Sequence, residues 1–399
     1  MSNRILIVTE FFYPEQTTTA HILTKIATSL SKEHEICVIS GPSGYNGTQS
    51  SGRESESALN NIRIIRLNKF NLDKNNLLKR AIRFIWLSVC LTYRLKKNVR
   101  KDDSVLIVTN PAPLLLFVSW LKKFKSFSLT VLVHDIFPEN TLPAGLIKSE
   151  RNWGYRILKR IFDKAYASAD RLIALGEDMQ DVLFKKIKAY NAAPDIHIIG
   201  NWADIENSES NECIENKDKI VILYAGNIGR VQGFQQFFDI WRTVSNKNIR
   251  FRLRGNGALV PLLKRYIQDY ALDNIDFGGR YMKAEQFAIL ANCDICLVSL
   301  AEKMYGLGVP SKTYNILQAG KPILFIGDPK SEIGMLVKKY GIGYCFSPNQ
   351  RSEITRFLET LSFEDRAVFA KMGAQAKQLA RTIYSENVVL EKYNHLFKN

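Results

Sequence analysis

The sequence predicts an α/β protein with two Rossmann-like domains, each a doubly wound parallel sheet, that face each other across a cleft. Thirteen short apolar runs recur along the chain, and many are separated by helix-length amphipathic segments. Runs that are rich in Ile and Val and apolar on both faces are typical of parallel strands covered by helices. Thirteen strands in 399 residues are too many for one compact domain, so two sheets are expected.

The predicted strands are taken directly from these runs. In the first half they cover 5–11, 35–40, 62–67, 104–110, 129–136, 171–176 and 196–201. In the second half they cover 220–227, 249–256, 275–279, 294–300, 322–328 and 343–347.

A polar, aperiodic stretch at 203–219 separates the two sets of strands, and we interpret it as a linker. The N-terminal domain is then expected over 1–202 and the C-terminal domain over 220–380. Apolar residues at helical spacing in 381–399 predict a terminal helix that packs back onto the N-terminal domain.

Composition excludes several classes of protein. Hydrophobic residues make up 46% and charged residues 24%, with a mean hydropathy of −0.13, which excludes disorder, collagen, a coiled coil and a multi-span membrane protein. The N-terminus lacks a signal-peptide pattern, which favours the cytoplasm.

The net charge of +16 suits nucleic acid, anionic lipid or phosphorylated ligands alike. Of six cysteines only Cys293 and Cys296 form a CxxC, and packing thiols are favoured over a metal or redox site.

Polar and glycine-rich segments follow the predicted strands, where open α/β sheets bind ligands. The loop after the first strand has no glycine, which argues against a dinucleotide site. Thr17 and Thr18 in that loop are candidates to hold an anion, with a plain helix cap as the equal alternative. His134 and Asp135 close the fifth strand, where His134 is placed to bond a hydroxyl. Neither a GxSxG elbow nor an HExxH pair occurs in the sequence.

The strongest phosphate candidate is GVPSKTYNILQAGKP, in which Ser311, Lys312 and Thr313 begin a predicted helix. Free N–H groups at a helix start, together with the Lys312 charge, suit a phosphate. A second candidate is AGNIGRVQGF, in which Gly226 and Gly229 allow a tight turn and Arg230 is placed to pair with a diphosphate. A third is the turn that carries Arg254 and Gly255.

Residues 75–101 hold eight Lys or Arg and no acid. The apolar stretch inside this segment is too short to span a bilayer, which needs about 20 residues. A helix lying in an anionic interface and a core-packing helix with a basic outer face remain equal alternatives. In the first case the membrane-facing residues are Arg80, Arg83, Trp86, Lys96 and Lys97.

Taken together, these segments resemble the GT-B glycosyltransferases, and more narrowly the large retaining family numbered four, in its bacterial surface-polysaccharide branch. The resemblance covers nearly the whole chain. It rests on segments that occur in the expected order: ILIVTEFFYPE, HDIFPEN, GNWAD, YAGNIGRVQGF, RGNGA, GGRYMKAEQF and VPSKTYNILQAGKPI.

The resemblance implies transfer of a sugar, with retention, from a UDP- or GDP-sugar to a hydroxyl of a polyprenyl-diphosphate-linked glycan in O-antigen, capsule or exopolysaccharide synthesis. It implies no cofactor or metal, an enzyme peripheral on the inner face of the cell membrane, and no nucleic acid. The catalytic residues would be His134, Arg230 and Lys312. The C-terminal domain would bind the donor through Gly226, Asn227, Gly229, Arg254, Gly255, Arg280, Tyr281, Ser311, Thr313 and Asn315. The N-terminal domain would face the acceptor and the membrane, with Glu15, Thr17, Thr18, Asn110 and Asp135 in its half of the cleft.

The sequence also departs from the family pattern. Leu307 and Asn315 stand at the positions of the family's two glutamates, with Glu302 the nearest acid, and Gln232 replaces a usual lysine. The sequence therefore does not identify the donor sugar. Two rivals are a GT-B-fold UDP-sugar epimerase, which would need acids in the cleft, and a non-catalytic basic protein that binds membrane or nucleic acid.

Overall fold

The structure is a computed structural model that describes residues 4–42, 59, 62–68, 77–190, 194–203 and 218–398. The chain divides into two compact units. Unit 1 comprises Met1–Glu139, Ser149–Gly200 and Leu390–Asn399, and unit 2 comprises Asn140–Lys148 and Asn201–Val389. The predicted linker lies outside the described residues except for 203, 218 and 219.

Unit 1 contains a seven-stranded parallel sheet in the order β3-β2-β1-β4-β5-β6-β7. Its elements are, in chain order, β1 (Arg4–Thr9), α1 (Thr18–Leu30), β2 (Glu35–Ser40), β3 (Ile62–Arg66), α2 (Leu77–Asn98), β4 (Asp103–Val108), α3 (Pro113–Lys122), β5 (Phe127–Leu132), α4 (Trp153–Ala167), β6 (Arg171–Ala174), α5 (Glu177–Ile187) and β7 (Asp195–Ile198).

Unit 2 contains a six-stranded parallel sheet in the order β10-β9-β8-β11-β12-β13. Its elements are β8 (Ile220–Asn227), α6 (Phe234–Trp241), β9 (Ile249–Asn256), α7 (Val260–Asp269), β10 (Ile275–Gly279), α8 (Gln286–Ala291), β11 (Ile295–Ser299), α9 (Lys312–Gln318), β12 (Ile323–Ile326), α10 (Glu332–Tyr340), β13 (Gly343–Phe346), α11 (Arg351–Thr360), α12 (Asp365–Thr382) and α13 (Glu386–Lys398), whose last residues belong to unit 1.

The predicted fold class is confirmed: both sheets are parallel, and every predicted strand has its counterpart among the described residues. The central strands are buried on both faces, which explains why their sequences are apolar without alternation. The edge strands β7 and β13 are more exposed, since each has a neighbour on one side only.

In each sheet the strand order reverses once, between β1 and β4 in unit 1 and between β8 and β11 in unit 2. The loops at the carboxyl ends of these strand pairs run in opposite directions and leave room for a ligand at that edge. The two units therefore each offer one ligand-binding edge.

At the opposite edge of unit 1, the buried side chain of Arg4 in β1 forms an ion pair with buried Asp103 in β4, with Nη1 and Oδ2 3.1 Å apart.

The C-terminal residues complete unit 1. The side chain of Tyr393 is buried, and Asn394 in α13 accepts a hydrogen bond from Ser29 in α1, with Oγ and Oδ1 3.1 Å apart. The guanidinium of Arg171 at the start of β6 donates to the carbonyl oxygen of Leu396 at 2.6 Å. These contacts attach the end of the chain to α1 and β6.

The core of unit 2 is built around aromatic side chains from α6 and β9. The rings of Phe237, Phe238 and Trp241 each contact Phe251 with centroids 5.1–6.0 Å apart, and all four are almost fully buried. Tilted and edge-on ring pairs of this kind add to the stabilisation that comes from burial alone.

None of the described helices is both long and apolar enough to cross a membrane.

We expect Phe251→Ala to lower the free energy of unfolding of unit 2 by about 3–5 kcal/mol, because it removes a fully buried ring and leaves a cavity. Urea unfolding followed by tryptophan fluorescence measures the change. Leu262→Ala on the exposed face of α7 is the matched control and should change stability by less than about 0.5 kcal/mol. Equal effects of the two substitutions would contradict the assigned core.

Candidate active site

The loop after β8 is held rigidly at the carboxyl edge of unit 2. The side chain of Gln232 accepts a hydrogen bond from the Gly229 N–H at 3.0 Å. The Ser299 hydroxyl at the end of β11 donates to the carbonyl oxygen of Gln232 at 2.7 Å, and the Ala301 N–H donates to that of Val231 at 2.8 Å. The side chain and carbonyl of Gln232 therefore fix the loop, which presents the exposed side chain of Arg230.

Glycines bring the backbones of this edge into close contact. A Cβ atom on Gly255, near the end of β9, would lie 1.8 Å from the carbonyl oxygen of Gly226 in β8, and Gly255 has φ +141°. A Cβ on Gly226 itself would lie 3.2 Å from the amine nitrogen of Lys312. Glycine is thus required at 255 by space as well as by conformation, and Gly226 leaves room for the lysine.

Lys312 is the first residue of α9, and its amine is buried. Nζ lies 3.2 Å from the centroid of the Tyr224 ring, and it has no hydrogen-bond partner among the described residues. Burial lowers the pKa of Lys312 well below its ordinary value. The buried hydroxyl of the neighbouring Thr313 likewise finds no partner in the described part of the chain. A buried amine without a partner at a ligand-binding edge is where a polar ligand is expected.

The start of α9 is not capped by a side chain. Ser311 occupies the N-cap position, but its side chain forms no capping hydrogen bond. α9 has seven residues, so its dipole is that of two turns only. The side chains of Lys312 and Thr313 therefore matter more at this edge than the helix dipole does.

The other residues of unit 2 that are predicted to bind the donor differ in exposure and in hydrogen-bond partners. The guanidinium of Arg254 forms an ion pair with Asp276 at 2.9 Å, so its charge is already engaged. Arg280 and Asn227 are exposed, and burial raises the pKa of Tyr281. Asn315, at the position of a family glutamate, donates to the side chain of Gln286 at 3.1 Å.

Neither residue 307 nor residue 302 supplies a buried carboxylate. Leu307 is buried, and Glu302 is exposed with a side-chain contact of 3.5 Å to Gln236.

In unit 1 the side chain of Thr109 organises the ends of β4 and β5. Its buried hydroxyl oxygen accepts hydrogen bonds from the N–H groups of His134 at 3.1 Å and Asp135 at 3.2 Å. His134 is half-buried, and its Nε2 has no hydrogen-bond partner within the described residues. Burial lowers the pKa of His134 to about 4, so the imidazole is neutral near pH 7. A neutral imidazole in a fixed backbone position can donate to or accept from a hydroxyl.

The other predicted residues of unit 1 lie at or near the surface. Thr17 caps α1 by accepting a hydrogen bond from the Ala20 N–H at 3.2 Å. Thr18 and Asp135 are exposed, and Glu15 and Asn110 are half-buried.

Two features of unit 1 escape sequence reasoning. Thr109 lies in the TNPAP segment, but its role depends on which strand adjoins β4. The second feature is an ion-pair network in which the buried amine of Lys186 contacts Glu139 at 2.7 Å and Asp163 at 2.5 Å. This network connects the HDIFPEN segment to α4 and α5. Residue spacing alone does not predict the network.

Helix α2 has two apolar faces. Leu87, Leu91 and Leu95 are buried, whereas a second stripe faces solvent: Ile82, Ile85, Trp86, Val89 and Tyr93. This second stripe is the face that the sequence interpretation assigned to an interface, and Arg80, Lys96 and Lys97 beside it are exposed. Arg83 corrects that interpretation. Its side chain is 15% exposed and forms an ion pair of 2.9 Å with buried Glu10 after β1, because this position of α2 faces the sheet edge.

The described residues contain no group of three or more His, Cys, Asp or Glu side chains that could ligate a metal ion. Cys293 and Cys296 are buried free thiols with sulfur atoms 3.4 Å apart, and burial raises the pKa of Cys296. These thiols pack at the base of β11, in keeping with the packing interpretation.

Comparisons with known proteins agree with this architecture. The model of the family "Glycosyl transferases group 1" matches residues 205–379. WbjE of Pseudomonas aeruginosa, which is named as a glycosyltransferase, is 34% identical over 80% of each chain. WcaI of Escherichia coli (strain K12), named as a colanic acid biosynthesis glycosyl transferase, is 22% identical over 69% of each chain. The crystal structure of HepE from Anabaena in complex with UDP superposes with a TM-score of 0.67 at 14% identity, over 99% of both chains. The chain therefore belongs to the group 1 glycosyltransferases and has the GT-B fold.

Proposed function

We propose that this glycosyltransferase moves a sugar from a UDP- or GDP-sugar to a hydroxyl of a lipid-linked glycan, with retention at the anomeric carbon. The pathway would be the synthesis of a bacterial surface polysaccharide such as an O-antigen, a capsule or an exopolysaccharide. The name of WcaI supports the pathway, and the UDP bound to HepE supports the class of donor. The family-four subgroup remains part of this proposal.

The observation that carries the proposal is the buried amine of Lys312, which has no hydrogen-bond partner among the described residues and lies beside Gly226 at the β8 edge. A diphosphate supplies the acceptor oxygens and the negative charge that this amine lacks. An anion close to Lys312 raises the pKa of its amine, because an opposite charge favours the protonated form. The lysine would thus gain its charge as the donor binds.

In the reaction the bond between the anomeric carbon and the diphosphate oxygen breaks, and a bond to the acceptor oxygen forms. The acceptor proton passes to the leaving diphosphate. Arg230 and Lys312 stabilise the negative charge that develops on that group, which is the largest electrostatic demand of the step. No metal ion is required in this scheme. His134, held by Thr109, orients a hydroxyl of the donor sugar or the acceptor.

The acceptor side belongs to unit 1. The exposed apolar stripe of α2 and the flanking Arg80, Lys96 and Lys97 would hold the enzyme on the anionic inner face of the cell membrane, where a polyprenyl-diphosphate acceptor lies. Arg83, being paired to Glu10, would instead join that helix to the ligand-binding edge.

Thermal unfolding in the presence of UDP, GDP and their sugars tests the class of donor. A nucleotide present at 100 times its dissociation constant should add about 2.7 kcal/mol of stability. Full activity in EDTA and the same anomeric configuration in donor and product, determined by NMR, are the outcomes expected of metal-independent retention. An inverted product would refute the proposed stereochemistry, and no shift with any nucleotide would refute the donor site.

We expect Lys312→Met to lower kcat/KM for the donor by about 10- to 100-fold, because one charged contact to the diphosphate is lost. The same change should leave stability unaltered or raise it, since it replaces a buried amine that has no acceptor. Steady-state kinetics and thermal unfolding measure the two effects. Lys247→Met, at the amino edge of the same sheet, is the control for removing one positive charge and should change neither quantity. Unchanged donor kinetics in Lys312→Met would contradict the role of the lysine.

His134 should make unfolding depend on pH. Its pKa is about 4 when folded, whereas an unfolded histidine titrates near 6.5. Between these values an unfolded His134 binds the extra proton, so the contribution of His134 to stability should fall as pH falls from 6.5 to 4. His134→Gln should lose less stability over this window than the wild type, and it should turn over more slowly at pH 7 with its fold intact. Urea unfolding at several pH values provides the comparison, and identical pH profiles would exclude a buried neutral His134.

A further inference from the structure

A second exposed apolar stripe lies on α4, two helices away from α2. Trp153, Ile157 and Ile161 are spaced four residues apart, so they fall on one face of α4, and all three are exposed, Trp153 by 72%. The opposite face of α4 packs inward through Tyr155, Phe162 and Tyr166. One narrow stripe of this helix is therefore apolar without serving the core.

The intervening helix α3 continues the surface. Trp120 and Phe124 are exposed by 57% and 67%, and their rings are in edge-on contact with centroids 4.9 Å apart. α3 lies beside both α2 and α4, and the Ser119 hydroxyl donates to the carbonyl oxygen of Ala165 at 3.2 Å. The connections from β3 through β6 are right-handed crossovers, so the three helices cover the same face of the sheet. Their exposed side chains consequently point to the same outer side.

The charges around these side chains are mostly positive. Exposed acids near them include Asp102, whose N–H donates to the carbonyl oxygen of Ser126, and Glu150, three residues before Trp153. Residues 77–101 and 113–126 contain no Asp or Glu. On α4 the single acid over 151–167 is Asp163, which is engaged with Lys159 and Lys186. The exposed cations next to the apolar residues of α3 and α4 are Lys123, Lys125, Arg156, Arg160 and Lys164. Aromatic and aliphatic side chains surrounded by cations match the chemistry of an anionic bilayer surface.

We propose that the outer faces of α3 and α4 form, together with α2, a single three-helix footprint that docks on an anionic lipid bilayer. The inference rests on the membrane association proposed above, and it extends that association from one helix to a plane. One amphipathic helix leaves a protein free to roll about the helix axis, whereas two parallel stripes separated by a third helix fix its orientation. Unit 1 would then lie with this face of its sheet parallel to the membrane.

A second copy of the chain is a poorer occupant of this surface. A symmetric dimer would bring two basic faces together, and like charges at close range oppose association. A bilayer containing phosphatidylglycerol supplies both the apolar interior and the opposite charge.

Flotation with liposomes of phosphatidylcholine, with and without 30% phosphatidylglycerol (roughly the anionic content that gives a strong surface potential), tests the footprint on the full chain. The triple variant Trp153→Gln, Ile157→Gln, Ile161→Gln removes the α4 stripe without changing the charge. We expect its affinity for the anionic vesicles to fall about tenfold or more. Its thermal stability and its transfer to a detergent-solubilised acceptor should be unchanged. The matched control is Leu262→Gln, Val368→Gln, which alters equally exposed apolar residues of unit 2 and should bind vesicles like the wild type.

A third variant, Trp86→Gln, Val89→Gln, separates the failure of this inference from the failure of the membrane proposal. If it loses binding while the α4 variant binds like the wild type, the footprint is limited to α2 and the inference is wrong. If the wild type itself does not bind anionic vesicles, both ideas are wrong, although the donor site is untouched. Sedimentation showing a dimer that the α4 variant converts to a monomer would assign the surface to self-association and overturn the inference.

Discussion

A buried lysine amine that has no acceptor among the described residues is the constraint on which the site of unit 2 depends. Lys312 is accommodated because Gly226 leaves space beside β8 and because the face of the Tyr224 ring offers its negative quadrupole. This arrangement is tolerable for a neutral amine and unfavourable for a charged one. The edge is therefore complete only when an anion is present, and its geometry is set in advance by backbone contacts that only glycine permits.

In both units a neutral side chain fixes the loop at the ligand-binding edge, but the side chains differ between the units. In unit 2 the amide of Gln232 and the hydroxyl of Ser299 fix the loop at the strand-order reversal. In unit 1 the hydroxyl of Thr109 holds two consecutive N–H groups at the corresponding edge. Neutral groups hold the loops in each case. The exposed charge of Arg230 is therefore available for a ligand, as is the His134 nitrogen that has no partner within the described residues.

The parts of this structure that follow from local pattern could be predicted from sequence. Runs rich in Ile and Val gave all thirteen strands, and the Gly and Pro residues around α9 marked its limits within a residue or two. The parts that depend on distant partners could not. The ion pairs Arg83–Glu10 and Arg254–Asp276 join residues from separate elements, and nothing in their spacing distinguishes them from free cations. Similarly, the pattern of α2 revealed an apolar stripe, but only the packed structure separates the stripe that faces solvent from the one that faces the sheet.

The division of the chain has a consequence for how the protein is made. Unit 1 includes residues from Leu390 onward, where Tyr393 is buried and Leu396 meets Arg171, yet all of Asn201–Val389 belongs to unit 2. A ribosome therefore synthesises most of unit 1, then almost the whole of unit 2, before the segment that covers α1 and β6 emerges. Until that moment the first sheet keeps an uncovered apolar flank, so vectorial folding can finish the second unit before the first.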